Sequence, residues 1–158
     1  MEQQLSLRDR LTDFNASYAR CIDNDNLEVW PELFAPECHY RVTSAANDRA
    51  GHPAGLMYAT SRAMLEDRIS ALCHANVYER QSYRHMVGQP YVVRSDETEA
   101  ECETPFIVVR IVQGDETFLY ATGIYKDLFD LKADNLQLKQ RVVVCDSSRF
   151  DTLLAVPL

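Results

Sequence analysis

EAECETPFIVVRIVQ (residues 99–113), the pair Gly114-Asp115, and ETFLYATGIYKDLFDL (residues 116–131) together decide the fold. Val, Ile, Thr, Tyr and Phe crowd both runs, and these types pack well on a pleated, half-buried surface. Gly114-Asp115 is a tight-turn pair, so the runs read as successive strands joined by a hairpin corner. Asp134-Asn135 makes another corner, and residues 136–146 form the next strand. Within it, Leu136-Gln137-Leu138-Lys139-Gln140-Arg141-Val142 alternates apolar and polar, which predicts one wet face. Residues 84–94 read as a fourth strand of the same kind, completing an antiparallel meander.

Upstream of the strands the period changes. Leu7, Leu11, Phe14, Tyr18, Cys21 and Ile22 recur at helical spacing, with charged residues between them. Asp23-Asn24-Asp25-Asn26, a cluster of turn formers, ends that helix. A short second helix is expected over residues 27–34, a strand over 38–43 and a loop over 47–55. A third helix runs from about Tyr58 to Ala75, with Thr60 or Ser61 as its cap and Met64, Leu65, Ile69 and Leu72 as its apolar stripe. Helices first and strands afterwards make an α+β fold, three N-terminal helices closing one face of a strongly curved sheet into a cone. No repeat, linker or low-complexity segment interrupts it, so residues 1–158 read as one domain.

The charge balance, 16 basic against 24 acidic residues for a net of −8, argues against nucleic acid or an anionic membrane as partner. No run of 18 apolar residues is present, and no export signal is visible at the N-terminus. Cys21, Cys38, Cys73, Cys102 and Cys145 are odd in number and widely spaced, as reduced thiols are, and the expectation is a cytoplasmic protein.

A search for chemistry finds little. Cys38-His39 and Cys73-His74 are adjacent pairs, whose side chains diverge on a strand or a helix and make poor chelates. His39, His52, His74 and His85 do not suggest a facial triad for mononuclear iron. No phosphate loop, dinucleotide motif or nucleophile elbow appears. The expectation is a chain with no cofactor or metal of its own. The enzymatic alternative is a stand-alone dehydratase or isomerase working by general acid–base chemistry inside the cone, with Tyr18 and His85 beside Asp23 or Glu101. Against it, Asp23 sits among capping residues, Tyr18 on the helix stripe, and His85 in an arginine–tyrosine junction. A third reading is a non-enzymatic small-ligand binder of the same shape.

That junction is the other feature. Arg62, Glu66, Asp67, Arg68, Glu79, Arg80, Tyr83, Arg84 and His85 crowd a short stretch. A solvated helix face accounts for the first part, whereas Tyr beside Arg is the composition of interface hot spots. An apolar tail, Leu153-Leu154-Ala155-Val156-Pro157-Leu158, needs a docking place on its own helices or on a neighbour. The candidate subunit interface is therefore Arg68, Arg80, Tyr83, Arg84, His85, Leu153, Leu154, Val156 and Leu158.

Tyr18, Asp23, Asp25, Leu27, Trp30, Leu33-Phe34-Ala35 and Tyr40 resemble the nuclear-transport-factor-2-like superfamily, which includes scytalone dehydratase and steroid isomerases. Four stretches resemble, more specifically, the small (beta) subunits of Rieske-type aromatic-ring-hydroxylating dioxygenases. They are Asp67-Arg68-Ile69-Ser70, Tyr78-Glu79-Arg80 with Tyr83-Arg84-His85-Met86-Val87-Gly88, the segment from Thr104 to Arg110, and the tail from Asp146 to Leu158. The tail and Tyr78-Glu79-Arg80 are most similar to the branch acting on aryl carboxylates such as terephthalate, which are dihydroxylated to cis-dihydrodiols. The resemblance implies an NTF2-like cone and a non-catalytic structural role beside an alpha subunit. That alpha subunit would carry the Rieske [2Fe-2S] cluster and mononuclear Fe(II). It further implies a beta trimer within an α3β3 hexamer and electrons from an NADH-dependent reductase. Gly88-Gln89 departs from the Ser-Asn pair of many relatives, and the N-terminus is shorter than in many of them.

Overall fold

The computed structural model describes residues 5–53, 55–74, 82–112, 116–148 and 156–158. Helix α1 (Leu7–Asp23) forms where the 3.6-residue stripe predicts, and Leu11, Phe14, Tyr18 and Ile22 are the side chains it buries. Ser6 caps it by accepting the Asp9 N–H at 3.2 Å. Asp25, at φ 57°, turns the chain out of the helix, a conformation that Asp tolerates better than most residues. The expected second helix is a 3-10 helix, Leu27–Leu33, because Pro31 inside it can neither donate a hydrogen bond nor fit an α-helical interior.

Strand β1 (Phe34–Ser44) starts earlier than the expected 38–43, since Phe34 already pairs with Leu138. A five-residue helix, α2 (Ala45–Arg49), stands in the stretch expected to be loop, with Ser44 as its cap. The third helix is also shorter than expected. Met57–Ala59 forms strand β2 against Tyr40–Val42, which buries Met57 and Ala59, and α3 (Arg62–His74) begins only afterwards, with Ser61 Oγ accepting the Met64 N–H at 3.2 Å. Helical spacing over residues 58–61 was a local pattern that long-range pairing overrides.

The expected strand over 84–94 divides into β3 (Ser82–Val87) and β4 (Tyr91–Ser95), which pair with different lengths of β5 (Glu99–Val112). Gly88 lies at the break, its N–H donating to Pro105 O at 2.8 Å, where an added Cβ would come within 2.8 Å of the Pro105 ring. Strands β6 (Glu116–Asp130) and β7 (Gln137–Cys145) complete one mixed sheet, in the order β2-β1-β7-β6-β5-β3 with β4 also on β5. Every pair is antiparallel except β1–β7, because β1 arrives from the helical half of the chain and lies beside the last strand.

Four register shifts interrupt the ladders of this sheet and bend it around α1. One of them decides the interior. Leu128 pairs with Gln140 and Phe129 with Leu138, so Lys139 is an extra residue. An odd insertion inverts the alternation, and Leu138 and Arg141 then both face inward. The wet face expected for this strand therefore ends at Lys139, and Arg141 is fully buried.

Candidate functional site

Strand alternation and the α1 stripe aim a set of polar groups into the cone. Asn15 and Tyr18 come from α1, His85 from β3, Thr104 from β5, Tyr125 and Asp127 from β6, and Arg141 from β7; all are buried. Asp127 and Arg141 are direct cross-strand partners. Arg141 Nε and Nη2 donate to the two Asp127 carboxylate oxygens, both at 2.8 Å, and Nη2 also donates to Asn15 Oδ1 at 2.7 Å. The guanidinium carbon lies 4.1 Å from the Tyr18 centroid and 4.0 Å from that of Tyr125, and the two rings, 5.9 Å apart, meet it from adjoining sides. Burial alone would drive the charge off Arg141, and the Asp127 carboxylate overcomes it, so the cation persists. Burial pushes the Asp127 carboxyl up while Arg141 pulls it down; the bidentate contact is that of a carboxylate.

A second polar pair ties the end of α1 to β3. Asp23 Oδ2 accepts the backbone N–H of His85 at 2.9 Å, and Oδ1 lies 2.6 Å from His85 Nδ1. Against a carboxylate the ring donates from Nδ1, which leaves Nε2 as the free position, buried and without a hydrogen-bond partner. Asp23 is thus an orienting partner for His85 rather than a helix cap. Two of the four acid–base candidates meet here; the others do not. Tyr18 Oη donates to the Leu158 main-chain oxygen at 2.6 Å, and Glu101 is bound to Arg94 on the exposed side of β5 at 2.8 Å.

The cone is filled. Tyr18, Trp30, Phe34 and Tyr40 pack edge to face, Phe106 stacks on Tyr125 with centroids 4.4 Å apart, and Leu158 is buried among the core residues. Burial pushes the Tyr18 phenol up to about 12 and those of Tyr40 and Tyr125 well above the usual value, so all three keep their protons. Two open clefts, of about 360 and 300 Å3, lie at Ser17, Cys21, Glu32 and Gln137 and at Thr43, Asn47, Leu56 and Ser148. Neither is lined by His85, Asp127 or Arg141.

The expected interface residues do not share one surface. Arg68 on α3 and Arg84 on β3 are exposed, and Tyr83 is half-buried with its ring 5.6 Å from that of Tyr120. His85 is a correction: its side chain is wholly buried, because β3 alternation turns it inward onto Asp23. Leu158 is another, docked in its own chain's core with Val156 packed beside it. Arg80, Leu153 and Leu154 lie outside the described residues, as does the Gly114-Asp115 turn. Arg84 shares the outer sheet face with exposed Met86, Ile107, Leu119 and Ile124. Arg141 was missed as an interior residue because nothing in its Val-rich neighbourhood signals the extra residue at Lys139.

Among the described residues no three His, Cys, Asp or Glu side chains converge as a metal site would need. Cys38 faces the core and His39 solvent, while Cys73 and His74 are both exposed. No helix of the described residues is long and apolar enough to cross a membrane.

The chain matches the family described as SnoaL-like domain over residues 3–142. It is 47% identical over 149 residues to the terephthalate 1,2-dioxygenase terminal oxygenase component subunit beta 1 of Comamonas sp, covering 94% of this chain and 97% of that one. It is 38% identical to the anthranilate 1,2-dioxygenase small subunit of Burkholderia cepacia, covering 89% and 88%. The crystal structure assigned as the beta subunit of an aromatic-ring-hydroxylating dioxygenase from Novosphingobium aromaticivorans superposes with a TM-score of 0.89, at 37% identity and 96% coverage of both chains.

Proposed function

The chain belongs to the SnoaL-like (NTF2-like) family and, within it, to the small subunits of aromatic-ring-hydroxylating dioxygenases, and from that footing we propose that the complex it joins hydroxylates an aryl carboxylate. As a beta subunit it is a structural component of a terminal oxygenase, an oxidoreductase. Terephthalate is the substrate we favour, because the Comamonas relative named for it is 47% identical over nearly the whole length of both chains. Its product would be the cis-dihydrodiol, formed at iron in the alpha subunit with electrons delivered from NADH by a reductase. An α3β3 hexamer in the cytoplasm, with the beta subunits as a trimer, completes the reading.

The Rieske cluster and mononuclear iron belong to the partner in this reading, and the described residues of this chain do not fit them. Cys38 and His39 face opposite ways, Cys73 and His74 stand exposed on α3, and the interior acids are already engaged, Asp127 by Arg141 and Asp23 by His85. The observation that carries a structural role is this filled interior. Every acid and phenol that the cone enzyme would need is held by another group of the chain or sealed beneath side chains. The outer sheet face, with Arg84 among exposed apolar residues, offers the residue types used at subunit contacts.

Co-expression with a tagged alpha subunit, followed by intact-complex mass and iron assay, tests the proposal. Co-purification in equal amounts, with iron only in the complex and turnover of terephthalate, is the expected result. Stoichiometric iron on the isolated chain, or a complex indifferent to terephthalate and other aryl carboxylates, would overturn it. The acid–base reading has one observation in its favour, the Asp23–His85 pair with Nε2 unused. It predicts turnover by this chain in isolation, and no such turnover is expected.

A further inference from the structure

We propose that the surface cleft between α1, the 3-10 helix and the β6–β7 corner receives a basic side chain of the alpha subunit. The proposal rests on the reading of this chain as a dioxygenase beta subunit and adds a contact point to it. The cleft holds about 360 Å3 and lies outside the aromatic core, none of whose rings lines it. Three elements build it. Ser17 stands on the exposed face of α1. In the 3-10 helix the three-residue period sets Val29 over Glu32, both exposed and both part of the wall. Asn135, Leu136 and Gln137, where the chain enters β7, complete the lining.

That lining sorts into two parts, which match the two parts of a lysine or arginine. Val29 and Leu136 offer apolar surface for a methylene stem, which packs there while its charged head stays wet. Glu32 offers a carboxylate, and Asn135 and Gln137 offer amide oxygens, all acceptors for a head group that only donates. Among the described residues no cation pairs with Glu32, whereas Asp48, Glu99, Glu101 and Asp127 each hold one. A helix about 10 Å across does not enter such a volume, but one extended side chain does. Charge decides between a second copy and a different chain. Two copies of net charge −8 repel each other, so a contact that calls for a cation favours a partner without that excess.

Glu32→Lys reverses the charge and Ser17→Trp fills the cleft; both are made in the full chain and titrated against an immobilised alpha subunit. Both positions are exposed, so melting is expected to stay close to that of the unaltered chain. Each substitution should weaken binding of the alpha subunit by about tenfold, the effect of a residue that matters to a contact. Glu37→Lys, the same charge change at an exposed position outside the cleft, is the control and should bind as the unaltered chain does. A benzophenone amino acid in place of Asn135 should cross-link, within the complex, to an alpha-subunit peptide containing lysine or arginine. Should Ser17→Trp fail to fold, Glu32→Lys and the cross-link decide. Unchanged affinity in the cleft variants, or a cross-link only to a second copy of this chain, would overturn the site and leave the subunit reading intact. Failure of the unaltered chain to bind the alpha subunit would remove that reading, and the site with it.

Discussion

Arg141 carries a charge into the interior, and its surroundings make that tolerable: a bidentate carboxylate, an amide oxygen and two adjoining aromatic rings. Removing one partner of such a pair strands the other. Arg141→Met should therefore cost about 3–5 kcal/mol of unfolding free energy in urea, while Arg141→Met with Asp127→Leu should recover much of it. A double variant as unstable as the single one would show that the rings and Asn15, and not the ion pair, carry the effect. The thiols make a separate prediction. Burial pushes Cys21 up to about 11 and Cys102 and Cys145 up to about 12, and Cys38 rises as well, whereas Cys73 is exposed. One of the five thiols, Cys73, should react quickly with a disulfide reagent at pH 8, with the rest reacting only on unfolding; Cys73→Ser should abolish the fast phase.

At the scale of elements, the β4–β5 turn is built on one carboxylate. Asp96 Oδ1 accepts from Thr98 N at 2.7 Å, Thr98 Oγ1 at 2.9 Å and Glu99 N at 2.9 Å, which holds its carboxyl below the ordinary value of 3.8. A carboxyl lowered in the fold stabilises at pH above 3.8, and the contribution fades as pH falls through the lower folded value. Asp96→Ala should thus lose stability at pH 6 and progressively less as the pH falls below 3.8; an equal loss throughout would show that the turn does not depend on the charge. The β6–β7 ladder rests on Gly123, where a Cβ would stand 2.0 Å from the Val144 carbonyl oxygen. Because that obstacle is backbone, Gly123→Ala must force the strands apart, and a loss of about 1–3 kcal/mol in thermal or urea unfolding is expected. A neutral substitution would mean the ladder is looser than its register.

For the molecule as a whole, what matters is that a fold able to enclose a cavity here encloses its own side chains. Tyr18 and Tyr40 meet Leu158, Asp127 meets Arg141 and Asp23 meets His85. Such an interior gives a rigid body whose outer surface is free to contact other chains, which suits a beta subunit. The isolated chain is accordingly expected to melt cooperatively with a transition unaffected by chelators, measured by differential scanning calorimetry with and without EDTA. A transition lowered by chelation would show that a metal holds the fold.

Sequence alone determined the elements whose signals are local. The α1 stripe from Leu11 to Ile22, the strands from Glu99 onward and the α+β order follow from side-chain period, which a single stretch reveals. The motifs from Asp67 to Gly88 and in the tail likewise carried the beta-subunit resemblance. Tertiary structure decided what depends on register and on distant partners. One extra residue at Lys139 turned Arg141 from the wet face to the core, long-range pairing made a strand of Met57–Ala59, and β3 alternation sent His85 onto Asp23 instead of onto a partner. The physical reason is that a bulge or a pairing partner many residues away changes which way a side chain points without leaving a mark on the residues around it.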